Sequence, residues 1–519
     1  MSSTTTAEHP TPVHVEGANA PTGVIESFRY AFSSVSRLRT EVLAGLVVAL
    51  ALIPEAISFS ILAGVDPRVG LFASFTMAVT IAFTGGRPAM ISAATGAIAL
   101  VIAPVAKDYG LNYLIATVIL AGIFQVLLAL IGVAKLMRFI PRSVMVGFVN
   151  ALAILIFSAQ IPHLLGVPWL VYPLVIGGLL IVYLFPHLTT AVPAPLIAIL
   201  VLTILVVTVG WDVPDVADQG ELPKNLPALL LPDVPLTFET LKIIAPYALA
   251  MSIVGLLESL MTAKLVDDIT DVHSDKTREA LGQGTANFVT GFFGGMGGCA
   301  MIGQTMINVR ASRARTRLST LLAGIFLLIL VVSLGEMVGL IPMAALVAVM
   351  IMVSVSTMDW HSIHPNTLRL MPLSETGVML TTVIATLVTH NLAVGVITGV
   401  LAAMVMFARR IAHLVTVQKV EELDTNHDGQ VDTRRYLVSG QLFFASSNDL
   451  VYAFDYTDDA KHIIIDLTGA DIWDASTVAT LDGIVHKYQQ RGKDVTITGL
   501  DGASLARLER LSGNFGAAH

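Results

Sequence analysis

The stretch GFFGGMGGCAMIGQTMINVRASRARTR, Gly291 to Arg317, decides the fold. Strongly apolar regions flank it, yet it is dense in glycine, carries the amides Gln304 and Asn308, and ends in an arginine cluster. Glycine at this density makes a poor uninterrupted membrane helix. The pattern reads as a broken one: an extended approach through Gly298, then a half-helix that starts between Cys299 and Gly303. A helix that begins partway through a membrane points unpaired N–H groups and the positive end of its dipole at the interior, where they attract anions. Non-helical backbone at that depth survives only where protein buries it or where it lines a wet cavity, which narrows the reading to a channel or transporter. Tight glycine packing between two helices is the other reading of this stretch taken alone.

Composition sets the class. Of 519 residues, 55% are hydrophobic and 13% charged, and the mean hydropathy is +0.76, far beyond what a soluble core needs. The chain is therefore read as a polytopic membrane protein. A net charge of -8 says little about partners, and no basic patch interleaved with aromatics points to a nucleic acid. The single cysteine, Cys299, excludes an internal disulfide and a multi-cysteine metal site, and reads as a small packing residue. Residues 1–40 form an N-terminal segment whose Ser-, Thr-, Pro- and Ala-rich start lacks a signal-peptide core, so a disordered cytoplasmic tail is expected. No GxxxxGK[ST] loop occurs, which disfavours a primary pump. No catalytic constellation forms, and His273, His361 and His364 fall in or near expected loops, so an enzyme is not expected.

From Glu41 to about Ala412 apolar runs follow one another with brief breaks, and fourteen spans are expected, starting near Glu41, Val69, Ile91, Asn112, Pro141, Leu170, Ala191, Lys242, Arg278, Cys299, Leu318, Ile341, Glu375 and Asn391. With both termini cytoplasmic, the basic clusters at Arg87, Lys135 to Arg142, Lys276 to Arg278, Arg310 to Arg317 and Arg409 to Arg410 all fall inside. The longest outer loop, from Trp211 to Lys242, is acidic. Seven spans precede that loop and seven follow it. The third of each half is short and preceded by breakers: GGRPAMISAATGAIALVIAPV from Gly85 and GGMGGCAMIGQTMIN from Gly294. Paired interruptions of this kind point to an inverted repeat with its site between two facing half-helix N-termini.

After Ala412 the character changes. Residues 41–415 read as the transport domain, 416–435 as a linker, and 436–519 as a small α/β domain with strand-like runs RYLVSGQLFF, HIIIDLTG and VTITGL. In the linker, Asp424, Asn426, Asp428, Gly429 and Asp432 match the start of a calcium loop, but Arg435 stands where the bidentate Glu belongs, so a polar turn is favoured over a calcium site.

These residues resemble the SulP anion transporter family of sulfate permeases, cyanobacterial bicarbonate transporters and animal anion exchangers. The resemblance runs through IPEAISFSILAGVDPRVGL from Ile53, ISAATGAIALV from Ile91, SAQIPHLLG from Ser158, GLLESLMTAKLVDDIT from Gly255, ALGQGTANFVTGFFGG from Ala280, INVRASRART from Ile307 and VGVITGVL from Val394. It implies a polytopic α-helical fold of 14 segments in 7+7 inverted repeats, a core domain moving against a gate domain, a cytoplasmic STAS domain and a homodimer in the cell membrane.

The candidate residues follow. Glu258 lies in an apolar span, where a carboxylate must be neutralised, paired or hydrated; Thr262, one turn on, shares its face. The resemblance associates this acidic position with coupling to Na+ or H+, the only cofactor-like ions expected, with Glu258 and Thr262 as sodium ligands. Structural pairing of Glu258, with Lys264 or with a lysine or arginine elsewhere, is the alternative. Glu55 stands where relatives commonly carry Gln, and is read either as part of the coupling chemistry or as a wall residue. Phe59 aligns with an aromatic of the family's anion pocket. Thr95, Gly96 and Ala97 begin the first half-helix, while Ile302, Gly303 and Gln304 begin the second; their N–H groups would bind an oxyanion without a full positive charge. Gln304 stands where several relatives carry Arg. Asp474, Ala475 and Ser476 occupy the STAS signature loop, with Ala475 at the position phosphorylated in soluble STAS proteins; Ser476 or Thr477 is a weaker acceptor, and a helix N-cap is the plainer reading. The function expected is secondary transport of a small oxyanion, sulfate or bicarbonate, by elevator-like alternating access. An uncoupled anion channel, a proton-coupled dicarboxylate transporter and a STAS-based sensor with an unknown cytoplasmic partner are the rivals.

Overall fold

Long apolar runs separated by Gly, Pro and charged breakers become helices, and a helix starts near every one of the expected positions. The computed structural model describes residues 21–136, 140–189, 193–223, 225–412, 415–423, 432–457, 459–500 and 502–512. Except for Asp432, the candidate calcium loop from Asp424 lies outside them. The chain divides after Val400 into two compact units.

Setting aside short connecting helices, the first unit is built from α1 Val35–Ala63, α2 Pro67–Thr84, α3 Gly96–Tyr109, α4 Leu111–Leu130, α5 Arg142–Gln160, α6 Val171–Leu184, α7 Ala194–Val209, α8 Phe238–Thr270, α9 Lys276–Phe292, α10 Ile302–Met306, α11 Arg317–Ser333, α12 Met343–Thr357 and α13 Leu373–Thr389; α14 Leu392–Ala412 begins in it and continues past Val400. Among the described residues six helices are long and apolar enough to cross a membrane by themselves, and five more apolar ones have 10–17 residues.

They form two packed groups. In one, α11 lies on α1 and α2, α9 lies on α2 and α4, and α3 sits among α1, α4 and α8. In the other, α5 and α6 pack on α12, α5 also on α13, and α6 on α7. The groups meet where α1 touches α7 and α12, and where α3 touches α5. This is the core and gate division that the resemblance implied.

The expected irregular N-terminal segment is corrected from Val24 on. A short helix, Val24–Phe32, precedes α1: Ser27 and Ala31 are buried and Phe28 stacks on Phe83 with ring centroids 5.7 Å apart, while Ile25 and Phe32 stay exposed. Arg317, almost fully buried, ties this region together by donating to the carbonyls of Thr22 at 2.8 Å, Gly85 at 2.7 Å and Ala82 at 3.3 Å. Glu41 accepts from the amides of Arg315 and Thr316 at 2.8 and 3.0 Å, a carboxylate at the positive end of α11.

Two extended segments interrupt the helices. β1, Ser92–Ala93, runs antiparallel to β2, Cys299–Ala300, with Ser92 opposite Ala300 and Ala93 opposite Cys299. The segments are so close that a Cβ on Gly298 would stand 2.0 Å from the carbonyl oxygen of Ala93, so only glycine fits. α3 starts directly after β1, and α10 after β2; α10 then widens into a π-helical turn, Ile307–Ala311.

The second unit holds a sheet in the order β3 Thr416–Leu423, β4 Thr433–Leu442, β5 His462–Ile472, β6 Asp494–Thr498, antiparallel between β3 and β4 and parallel thereafter. The expected 416–435 linker is thereby corrected: TVQKVEEL is an outer strand, and β4 begins three residues before the expected boundary at Tyr436. Helices α15 Phe444–Leu450, α16 Ala475–Gln489 and α17 Gly502–Leu511 complete the unit, and Ile465, Leu467, Val478, Leu481, Ile484 and Tyr488 form the centre of its core.

Two substitutions at glycines in the crossing region separate packing from backbone freedom. Gly298→Ala is expected to cost about 3 kcal/mol, at the upper end for overpacking, and to lower the thermal unfolding midpoint in detergent. Gly303→Ala, with nothing within 4 Å of the added Cβ, is expected to change stability by less than about 1 kcal/mol and in the stabilising direction. In the second unit, Asp474 caps α16 through Thr477 N at 3.0 Å and also accepts from Phe444 N at 2.6 Å. Asp474→Ala should destabilise that unit by about 1–2 kcal/mol, measured by denaturant unfolding of the full chain followed at Trp473 against a Trp473→Phe control.

Candidate functional site

The β1–β2 crossing brings together residues 200 positions apart in the chain. Extended backbone inside an apolar helical group must have its polar groups paired, since each left unpaired costs a few kcal/mol. Side chains from the surrounding helices do this. Ser74 of α2 accepts from Ala94 N at 3.2 Å, and Ser259 of α8 accepts from Ala300 N at 3.0 Å. Asn287 of α9 clamps Gly298 on both sides, accepting from its N–H at 2.8 Å and donating to its carbonyl at 3.0 Å. The same Asn287 amide donates to Gln125 of α4 at 2.8 Å. Thr305 accepts from Ile91 N at 3.0 Å.

Around this frame the expected oxyanion residues assemble. Thr95 is the N-cap of α3, its Oγ1 accepting from Ile98 N at 3.3 Å, and Thr95, Gly96 and Ala97 are buried. Phe59 of α1 faces this helix start: a Cβ on Gly96 would meet its Cε1 at 2.9 Å and the Ile156 Cδ1 at 3.0 Å. On the other side α10 has no side-chain cap, Ile302 is half-buried and Gly303 is exposed to open space. Gln304, buried, adjoins the Glu55 carboxylate, while its own Oε1 has no partner. Glu55 is half-buried on α1, one turn before Phe59. Both half-helix starts, the aromatic and Glu55 thus lie around one crossing.

Glu258 sits beside it on α8, nine-tenths buried. Its Oε2 accepts from the Cys299 thiol at 2.9 Å. Thr262 is fully buried one turn on, its hydroxyl donating to the Glu258 carbonyl at 2.8 Å rather than to the carboxylate. Lys264 is exposed, and Glu258 forms no ion pair among the described residues, so the structural-pairing alternative finds no partner there. The charges of this unit pair elsewhere: Arg87 and Lys276 share Asp267 at 3.2 and 2.5 Å. Among the described residues no group of three or more His, Cys, Asp or Glu is placed to hold a metal ion.

Cys299, read from the sequence as a packing residue, is completely buried. Its Sγ lies 3.1 Å from Thr95 Oγ1 as well as beside Glu258. Asn287, Gln125 and Ser259 were missed as clamps; a polar side chain in an apolar span was the available signal. In the second unit, Ser476 is exposed at the start of α16, whereas Thr477 is buried with its Oγ1 3.1 Å from Asp474 Oδ1 and 3.1 Å from Ser447 Oγ. Asp474 therefore acts as a cap, and Ser476 is the accessible hydroxyl of the loop.

Comparison with known proteins agrees with this architecture. The model of the sulfate permease family matches residues 38–172 and 169–384, and that of the STAS domain matches residues 424–514. A putative sulfate transporter, YbaR of Bacillus subtilis, is 52% identical over 475 residues, covering 92% of this chain and 97% of that protein. The bicarbonate transporter BicA of Picosynechococcus is 25% identical, with 91% of each chain covered. In fold, the murine Slc26a9 anion transporter in its inward-facing state superposes with a TM-score of 0.79 at 16% identity over 95% of this chain and 90% of that one. The transmembrane domain of a cyanobacterial BicA matches at a TM-score of 0.61 and 24% identity over 71% of this chain and 98% of its own. With two broken helices meeting at a glycine crossing, a packed core and gate, and a STAS domain after them, the chain belongs to the sulfate permease family of membrane anion transporters.

Proposed function

We propose that this chain is a secondary active transporter of a small oxyanion, sulfate or bicarbonate, driven by Na+ or H+ through Glu258. The observation that carries the reading is the position of Glu258, buried beside the place where the starts of α3 and α10 meet. Backbone amides at Thr95 to Ala97 and Ile302 to Gln304 supply partial positive charge to an oxyanion and release it without the cost of breaking a full ion pair. Phe59 and Ile156 pack against the α3 start at Gly96, whereas Gly303 at the α10 start is exposed.

Coupling follows from charge. Gln304 leaves the oxyanion without a formal positive partner, so a cation on Glu258 removes a repulsion and restores balance. Thr262 contributes its hydroxyl oxygen as a neutral ligand where that cation is sodium. The names of the relatives support sulfate and bicarbonate as the substrates to test first. Alternating access then consists of the core group, which holds the crossing, shifting against the gate group of α5 to α7, α12 and α13, in a cell membrane with both termini cytoplasmic.

Radiolabelled sulfate uptake into proteoliposomes, with bicarbonate and fumarate as competitors under separate sodium and proton gradients, tests this. Wild type is expected to accumulate the label under one of the two gradients, and Glu258→Gln to lose about tenfold or more of the gradient-driven accumulation. Voltage-scaled currents that persist unchanged in Glu258→Gln would replace this reading with an anion channel. Accumulation displaced by fumarate but not by bicarbonate would move the substrate to a dicarboxylate.

A further inference from the structure

The loop between α7 and α8 bridges the core and gate groups on the membrane face opposite the start of α1. Its gate end pairs with the start of α12: Val216 N donates to the Ile341 carbonyl at 3.0 Å, and Met343 N donates to the Pro214 carbonyl at 2.8 Å. Its core end lies on the turn between α1 and α2. There Arg68 N donates to the Glu221 carbonyl at 3.3 Å and Glu221 N donates to Asp66 Oδ1 at 3.4 Å, while the Arg68 guanidinium pairs with Glu221 at 2.5 Å and with Asp66 at 3.3 Å. Between the two ends Ala217 to Gln219 form a single helical turn, closed by Asp215 and Asp218, whose carboxylates each accept from the other's N–H at 3.1 Å.

The two ends differ in kind. At the gate end Val216 is fully buried and Ile341 and Met343 are nearly so, and opening it would unpair buried backbone groups. At the core end Glu221 is exposed and Asp66 and Arg68 are half-buried, and ion pairs exposed in this way hold weakly. One end is fixed and the other is releasable. Both ends border one cavity at the boundary of the two groups. Ser58, Ile61 and Leu62 of α1 line it from the core, and Gln160 of α5 with Met343 and Leu346 of α12 line it from the gate. Ser58 adjoins Phe59, whose ring packs on the α3 start at Gly96.

We propose that Pro214 to Glu221 form a strap that latches the core to the gate beside this cavity, and that this face opens when Glu221 leaves the Asp66–Arg68 turn while Val216 stays on α12. The inference rests on the reading in which the core shifts against the gate. On that reading the two walls of the cavity separate when this face opens, and a strap held at both ends keeps them together. A weak, exposed contact suits a step repeated in every cycle, whereas a buried ion pair would be costly to break each time. Arg68 and Glu221 lie outside the crossing, so they act on access and leave the oxyanion donors and Glu258 as they are.

Paired cysteines in the full chain test the latch, and the single native cysteine, Cys299, is completely buried and does not compete. The backbones of residues 68 and 221 already bond, which places Arg68→Cys and Glu221→Cys within disulfide reach. In proteoliposomes, oxidation of this double variant is expected to lower gradient-driven uptake of sulfate or bicarbonate, whichever wild type transports, about tenfold or more, and reduction to restore it. Unchanged uptake with the disulfide formed overturns the latch and leaves the transport reading intact. A pair that stays reduced under oxidant overturns the contact itself. A second measurement does not depend on uptake. With Leu62→Cys as a reporter in the cavity, the rate of modification by a methanethiosulfonate reagent is expected to rise about threefold to fivefold when Arg68→Gln is added, because a face that opens more often admits more reagent. Equal rates with and without Arg68→Gln overturn the latch. Uptake missing from wild type while these rates differ overturns the transport reading and keeps the latch.

Discussion

The structure depends on one steric constraint, the passage of Gly298 over the carbonyl of Ala93. With only 2.0 Å between that oxygen and the position of a Cβ, the two extended segments lie closer than any pair of side-chain-bearing residues allows. Close approach is what lets β1 and β2 pair, and pairing fixes the register of Ala93 against Cys299. The start of α3 and the start of α10 are consequently parts of one rigid piece. On the proposed reading a site held this way travels with its helices as a unit, because neither half can shift without breaking the crossing.

Polar side chains on otherwise apolar helices take their meaning from this crossing. Ser74, Ser259, Asn287 and Thr305 each satisfy a backbone group that the broken helices leave open, and Gln125 holds Asn287 in turn. A second row, from Ser92 through Gln283 to Glu279 and on to the amides of Gly86 and Arg87, supports the approach to β1. In a protein interior each of these bonds is worth more by its absence than by its presence, since the orphaned group would face hydrocarbon. Helix breaking is tolerated here only because four neighbouring helices supply partners.

Much of this was legible in the residues. Hydropathy and basic clusters located the helices, and the paired breakers at Gly85 and Gly294 located the crossing, because glycine and proline act locally and leave a local mark. The spans read as too short to be ordinary, α3 and α10, are the ones the structure breaks. What could not be read was contact across the chain. Cys299 looks like any small residue in an apolar context, and only the 41 residues that separate it from Glu258 in sequence, closed by the fold, give its thiol a partner. Strand β3 was read as linker for a related reason: TVQKVEEL carries charges that suit an outer strand as well as a loop, and the pairing with β4 decides between them. Glu258 and Thr262 were legible as a carboxylate and a hydroxyl one turn apart in an apolar span, whereas the thiol that meets the carboxylate was not.

Electrostatics then constrains how such a site works. Among its described residues the crossing offers amides, hydroxyls and an aromatic edge, but no lysine or arginine, and it has two carboxylates, Glu55 and Glu258, nearby. An oxyanion brought to the bare site would add negative charge to negative charge in a medium that screens poorly. The two helix starts together supply about one unit of positive charge, less than the two carboxylates carry when both are ionised. On the proposed reading a cation must therefore enter with or before the anion, and the order of binding follows from the absence of a fixed positive group. Replacing Gln304 by arginine would supply such a group permanently. Binding of the oxyanion would then lose its need for the cation, and with it the means by which an ion gradient drives accumulation.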